Sequence, residues 1–224
     1  LAIRLARMHL QSGDAPAARE AFERVLARDP DHVEARLGLA RSDASQGQHS
    51  RAIGHFERAL ARDPTRHTAL GELASAYEAE GDPHTALPHR ERLRTIDPDD
   101  TKNLRSLAHL QEIAGEDDAA VATLRDALTR APNDSRTTFE LAWLLATRSG
   151  ATADDAREAV ELAQTVYRQN RRDPRYAHLM SAAYAANGDR KRALRTGKRA
   201  LKLAKGNADL EAAISDHLDA LNAR

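Results

Sequence analysis

The sequence contains no cysteine, so no disulfide, thiolate metal site, iron–sulfur cluster or thiol nucleophile can form within it. Large rings are scarce: one tryptophan, four tyrosines and three phenylalanines in 224 residues. That is little for a single compact core. Valine, isoleucine, phenylalanine and tyrosine are the residues that suit a pleated sheet, and their shortage weighs against one. Net charge is also missing, since 34 basic side chains balance 34 acidic ones, which argues against a whole-chain electrostatic footprint for nucleic acid. No apolar run approaches the roughly 18 residues that a transmembrane helix needs. None of these absences decides between a cytoplasmic and a periplasmic location.

What is present is a period. Pro30, Pro64, Pro98 and Pro132 are 34 residues apart, and Pro174 follows after 42. Gly13, Gly47, Gly81 and Gly115 keep the same step, as do Ala18, Ala52, Ala86 and Ala120; Gly188 and Ala193 return to phase after the long interval. Each residue type has a physical role at its place. The glycine ends a first helix through a left-handed C-cap. Asp14, Asp82 and Asp189 come next and can N-cap a second helix, with Pro16 and Pro83 in its first turn, where a missing N–H costs little. The alanine lets two helices approach closely. The Asp-Pro step stops the second helix, because the residue before proline is pushed out of the α region.

Between these marks the apolar spacing is helical. Leu70, Leu73, Ala74 and Tyr77 fall at i, i+3, i+4 and i+7, so each unit is predicted to be an antiparallel helical hairpin. The pattern Leu39-Ala40, Gly47, Ala52, Phe56, Ala59 and Pro64, repeated as Leu70, Leu73-Ala74, Tyr77, Gly81, Ala86 and Pro98, resembles the tetratricopeptide repeat, including its bacterial-type arrays. The resemblance implies an all-α, right-handed α-solenoid with six units at 1–32, 33–66, 67–100, 101–134, 135–173 and 174–207, then a capping helix over 208–224. Two irregular places are expected. The fifth unit carries eight extra residues around Arg148 to Asp155, and Pro88 should delay or kink the second helix of the third unit.

No catalytic constellation emerges, so the segment does not read as an enzyme. No two of the ten histidines lie three or four residues apart, and zincin, EF-hand, phosphate-loop and nucleophile-elbow patterns are absent. No metal, cofactor or small-molecule substrate is expected. The acidic pairs Asp99-Asp100, Asp117-Asp118 and Asp154-Asp155 fit helix starts, where they face the positive end of the dipole.

The resemblance implies instead a concave groove lined by first helices. Its wall would carry Arg7, Glu34, Arg41, Thr68, Ser75, Glu78, Lys102, Arg105, His109, Glu112, Arg136, Phe139, Trp143, Arg175 and His178. Arginine forks recognise carboxylates bidentately, so the expected occupant is a protein or peptide of acidic character, centred on Lys102 to Trp143. The chaperone-tail clamp of the family pairs a lysine with an asparagine four residues on. Here those places hold Ile3 and Arg7, Leu37 and Arg41, Gly71 and Ser75, and Arg105 and His109, so that role is disfavoured. Trp143 reads either as a peptide anchor or as packing beside the insertion.

The last unit departs from neutrality. Arg190 to Lys205 contains eight basic and no acidic residues, and Lys191, Arg195, Lys198, Lys202 and Lys205 form a stripe at helical spacing. Residues 186–224 hold nine basic and five acidic side chains, against 25 and 29 before them. The stripe is a solvated face or an anionic-surface contact; with no ring interleaved, nucleic acid is disfavoured. In the capping helix, Leu210, Ala213, Ile214 and Leu218 should cover the last hairpin. Leu1, Leu5 and Met8 should leave apolar surface bare, which predicts an upstream domain or self-association there. The chain opens inside a helical pattern and reads as a piece of a longer protein. Its function reads as a scaffold or adaptor presenting a groove, or as the accessory array of a bacterial exported or membrane-anchored enzyme or secretion machine with its chemistry upstream.

Overall fold

A computed structural model describes residues 2–223; Leu1, expected to add to a bare apolar face, lies outside them. Among the described residues the chain forms thirteen α-helices and no strand. It divides into two compact units. The first, ending at Gly115, holds α1 (Ala2–Gln11), α2 (Ala15–Leu26), α3 (Val33–Ser45), α4 (His49–Arg62), α5 (His67–Glu80), α6 (Pro83–Ile96) and α7 (Thr101–Ile113). The second, from Glu116, holds α8 (Asp117–Arg130), α9 (Ser135–Thr147), α10 (Ala153–Gln169), α11 (Pro174–Ala186), α12 (Arg190–Leu203) and α13 (Ala208–Asn222). Within each, every helix packs on its chain neighbours, and the fold class is the all-α helix-turn-helix solenoid.

The punctuation acts as its chemistry requires. Gly81 sits at φ +85° and its N–H donates to the Glu78 carbonyl at 3.1 Å, closing α5; a side chain there would be strained. Asp82 then caps α6 by accepting from the Thr85 N–H at 3.1 Å, with Pro83 in the first turn. Asp14 and Asp189 cap α2 and α12 in the same way. Ala18, Ala52, Ala86, Ala120 and Ala193 are all fully buried, the small residues over which the paired helices meet. One approach is closer still: a Cβ on Gly38 would lie 2.2 Å from Cζ of the buried Phe22 ring. Glycine at 38 is therefore what allows Phe22 to fill the first hairpin.

Four expectations need correction. Helix α6 is not delayed by Pro88; it starts at Pro83 and runs through Pro88 to Ile96, because the Asp82 cap nucleates it. Pro174 does not stop a helix: Asp173 caps α11 and Pro174 is in its first turn, a place that tolerates a missing N–H. The long interval therefore contains five extra residues rather than eight, since helix caps recur at His32, Arg66, Asp100 and Asp134 and then at Asp173, 39 on from the last instead of 34. Two lengthen the turn before α10 and three lengthen α10 itself, which has 17 residues where α8 has 14. Lastly, α13 buries Ile214, Leu218 and Leu221, with Leu210 half-buried, while Ala213 is exposed on its flank. Leu218 seats against Gly197, where a Cβ would come within 2.7 Å of its Cδ2.

The lengthened turn is tied down. The Thr152 hydroxyl accepts from the Asp155 N–H at 3.1 Å, and the Asp155 carboxylate accepts from the Thr152 N–H at 2.9 Å, a capping box. Arg148 donates to the same carboxylate at 2.6 Å. The backbone donor at Thr152 and then Arg148 hold the Asp155 carboxyl down to about 2.

Candidate functional site

In the first unit, α3, α4, α5, α6 and α7 line a cavity of about 840 Å³. Gly71 lies in its wall, and Arg41, Glu72, Ser75, Asp97, Asp100, Lys102 and Asn103 supply polar groups. The Arg41 Nε donates to both Glu72 oxygens, at 2.9 and 3.0 Å. Lys102 is exposed and makes no ion pair among the described residues.

At the base of this cavity stands a residue absent from the expected set. Arg90 occupies the place held by Phe56 and Phe22 one and two 34-residue steps earlier, and it is 7% exposed. Its Nε donates to Glu78 at 2.9 Å and its Nη2 to the Ser75 hydroxyl at 2.7 Å, while Asn103 Nδ2 donates to the Arg90 carbonyl at 3.0 Å. A buried guanidinium must be paired and hydrogen-bonded to be tolerated, and these contacts do so. They also line the cavity with polar atoms where a phenylalanine would have filled it. Stepping 34 residues along the chain from Phe56 is the signal that would have found Arg90.

The other first-unit groove residues are mostly engaged with their neighbours. Arg7 pairs with Glu34, which Arg66 also holds. Burial raises the Glu34 carboxyl, but the bonds from Arg66 and Arg7 outweigh it and leave it below its usual value. Thr68 lines the cavity, Arg105 is half-buried and His109 is exposed on α7.

The second unit presents a different surface, a row of rings. Phe139 and Trp143 are stacked with centroids 6.2 Å apart; Tyr176 meets Phe139 edge-on at 5.7 Å, and His178 meets Trp143 edge-on at 5.1 Å. Phe139, Trp143 and Tyr176 are half-buried. Arg136 pairs with Glu140 at 2.9 Å, and Arg175 is held by Asp173 through four contacts of 2.6 to 3.2 Å.

His178, expected on the groove wall, is instead buried, because α13 lays His217 on it with ring centroids 5.3 Å apart. The Nε2 atoms of both rings are buried without a protein partner. Burial, and then the charge His217 would carry, pull the His178 pKa down to about 4; burial pulls His217 down as well, against a hydrogen bond to the Ser181 backbone. Both are neutral packing groups at neutral pH.

Lys191, Arg195, Lys198 and Lys202 on α12, with Lys205 in the turn that follows, are all exposed and form no ion pair among the described residues. At the other end, Leu5 and Met8 on α1 are 50% and 60% exposed. Among the described residues no group of three or more His, Asp or Glu side chains could hold a metal ion, and no helix is long and apolar enough to cross a membrane.

Comparison with known proteins agrees with this architecture. The tetratricopeptide-repeat family model matches residues 3–65 and 38–101. No curated protein matches the sequence. Among solved structures, the chain is similar to YrrB, described as a tetratricopeptide-repeat protein with an unusual peptide-binding site, at 18% identity and TM-score 0.73 over 88% of this chain and 99% of that one. It is also similar to PilF of Pseudomonas aeruginosa, at 18% identity and TM-score 0.72 over 96% of each chain. A third likeness is to MamA of Desulfovibrio magneticus, at 17% identity and TM-score 0.67 over 76% of this chain and 94% of that one. At such identities the likeness is one of fold. Tetratricopeptide repeats are thus matched by sequence over residues 3–101, hairpins of the same kind form both units, and this fold serves generally as a scaffold for protein–protein interaction.

Proposed function

We propose that the chain is a protein-interaction scaffold whose first unit takes an extended, acidic peptide segment against α3, α5 and α7. The observation that carries this reading is the 840 Å³ cavity there, with Lys102 at its edge unpaired and Arg90 beneath it. Lys102 would meet a carboxylate of the peptide, and Ser75 and Thr68 would hydrogen-bond its backbone. The similarity to a solved protein described as having a peptide-binding site supports the reading. In the second unit, the half-buried rings of Phe139, Trp143 and Tyr176 would take an apolar side chain against their exposed parts, because aromatic anchors dominate such contacts.

Panning a displayed random-peptide library against the protein tests this. The selected peptides should be acidic, and Lys102→Glu should weaken them by about tenfold or more, as expected when a charge pair is turned into a repulsion. Peptides without acidic bias, or binding unchanged by Lys102→Glu, would reject the groove assignment.

A second reading rests on the exposed Leu5 and Met8 of α1. Apolar side chains clustered on one end of a solenoid mark a surface that another repeat, or another copy, would cover. Light scattering tests the latter: Leu5→Glu with Met8→Glu should dissociate any dimer, and a monomer at all concentrations excludes self-association at this end.

A further inference from the structure

We propose that a recess between α10, α11 and α12 of the second unit is a binding site for a phosphorylated side chain of a partner protein. The recess has a volume of about 490 Å³ and shares no residue with the Phe139–Trp143 row. Arg168 and Arg171 approach it from α10 and the turn that follows, Arg195 and Arg199 from α12; Tyr167 and Tyr184 wall it and the buried Met180 closes its base. No aspartate or glutamate lines it.

These four share the lack of an ion pair with Arg172 and with Arg190, which is held by the Leu221 and Asn222 carbonyls; seven others in the unit are paired. Arg125, Arg130, Arg136, Arg148, Arg157, Arg175 and Arg192 are each paired with a carboxylate. Arg168, Arg171, Arg195 and Arg199 have no ion pair among the described residues. Like charges gathered without counter-charge repel one another, and a bound anion relieves that cost.

The walls are also held in place. The Arg199 guanidinium lies 5.9 Å from the centre of the Tyr167 ring, and its Nη2 donates to the Arg171 carbonyl at 3.4 Å. Arg192, already paired with Asp189, lies 4.6 Å from the centre of the Tyr184 ring. Such cation–π contacts fix ring orientation.

The chemistry favours a phosphoryl group. Four guanidinium forks offer more N–H donors than one carboxylate can accept, while a phosphate ester brings three terminal oxygens and close to two negative charges. The shape favours a side chain. A bilayer would meet the protruding Lys198 and Lys202 but could not enter a recess with tyrosine walls and an apolar base. The proposal rests on the protein-binding reading of the fold but uses a surface separate from the first unit's groove, so Lys102→Glu, which tests that groove, should leave it untouched.

Fluorescence anisotropy with a labelled phosphoserine peptide, its unphosphorylated parent, anionic phosphatidylserine vesicles and a short single-stranded DNA decides the matter. The phosphopeptide should bind about tenfold or more tighter than its parent, and inorganic phosphate should compete with it. Arg168→Ala with Arg195→Ala should weaken it by about tenfold or more, as should Arg171→Ala with Arg199→Ala, given the worth of charge-assisted hydrogen bonds. Lys198→Ala with Lys202→Ala should cost less than about threefold, because those charges do not line the recess and act only through the screened field. All these side chains are on exposed positions, so circular dichroism should show unchanged helix content. Equal binding of the parent, equal loss in the lysine variant, binding only to vesicles or DNA, or no binding by the unaltered protein would overturn the proposal.

Discussion

Acid should loosen α13 from the last hairpin, and His178 sets the size of the effect. An imidazole held neutral in the fold binds fewer protons than it does in the unfolded chain. Its contribution to stability is complete above the unfolded value of about 6.5 and is lost as the pH falls toward the folded value of about 4. At about 1.4 kcal/mol per pH unit, the full interval is worth about 3 kcal/mol, and the part down to about pH 4.5 is worth about 2–3 kcal/mol. His217, lowered in the same direction, adds to this. The Asp155 carboxyl, at about 2, stays ionised throughout and does not contribute. Trp143, the only tryptophan, lies 5.1 Å from the His178 ring and reports on this spot. Urea unfolding followed by its fluorescence should show stability falling by that amount between about pH 7 and about pH 4.5. His178→Phe keeps a ring against Trp143 and removes the proton, so its loss over the same interval should be smaller by most of it. An identical pH dependence in the variant would refute the reasoning.

Three further expectations concern packing and capping. Gly38→Ala gains about 1 kcal/mol of helix propensity but forces a Cβ to within 2.2 Å of the buried Phe22 ring. The overpacking cost of about 1–3 kcal/mol should prevail, so urea unfolding should show a net loss that Phe22→Leu partly restores. Arg90→Ala should cost about 2–3 kcal/mol by opening a cavity and leaving Glu78 and Ser75 without their donor. Arg90→Phe, which restores the residue found at 22 and 56, should cost less, and an equal loss would contradict the assigned role. Thr152→Ala removes one half of the capping box and should cost about 1 kcal/mol; it should also shrink the acid loss that Asp155 contributes as the pH falls from about 3.8 to about 2.

The hairpin order was legible because the repeat repeats its punctuation: a glycine that must turn left-handed, an aspartate that must cap, an alanine that must be small. The fifth unit was misjudged for a related reason. Asp173-Pro174 matches the earlier Asp-Pro steps in letters, yet Asp173 is the cap of α11, and only the helix ends separate a stop from a start. Pro88 does not delay α6, because the Asp82 cap and the packing carry the helix through it. At the surfaces, sequence spacing placed Phe139 and Trp143 well enough to form a row, but could not show that Arg41, Arg7 and Arg175 would be held by Glu72, Glu34 and Asp173. These are contacts between side chains from different turns or units. His178 was placed on a groove wall because its position ignores the helix that follows, whose His217 covers it. Arg90 was legible in principle, one repeat after Phe56, but a search for chemistry on first helices passes over a second-helix position.

Photo-crosslinking tests the central claim most directly. A peptide selected on this protein, carrying a benzophenone at its centre and mapped by mass spectrometry, should crosslink to the inner positions of the first unit, near Arg41, Ser75, Lys102 and Ser106, and should lose those crosslinks in Lys102→Glu. Crosslinks confined to residues away from that cavity, or unchanged in the variant, would contradict the account.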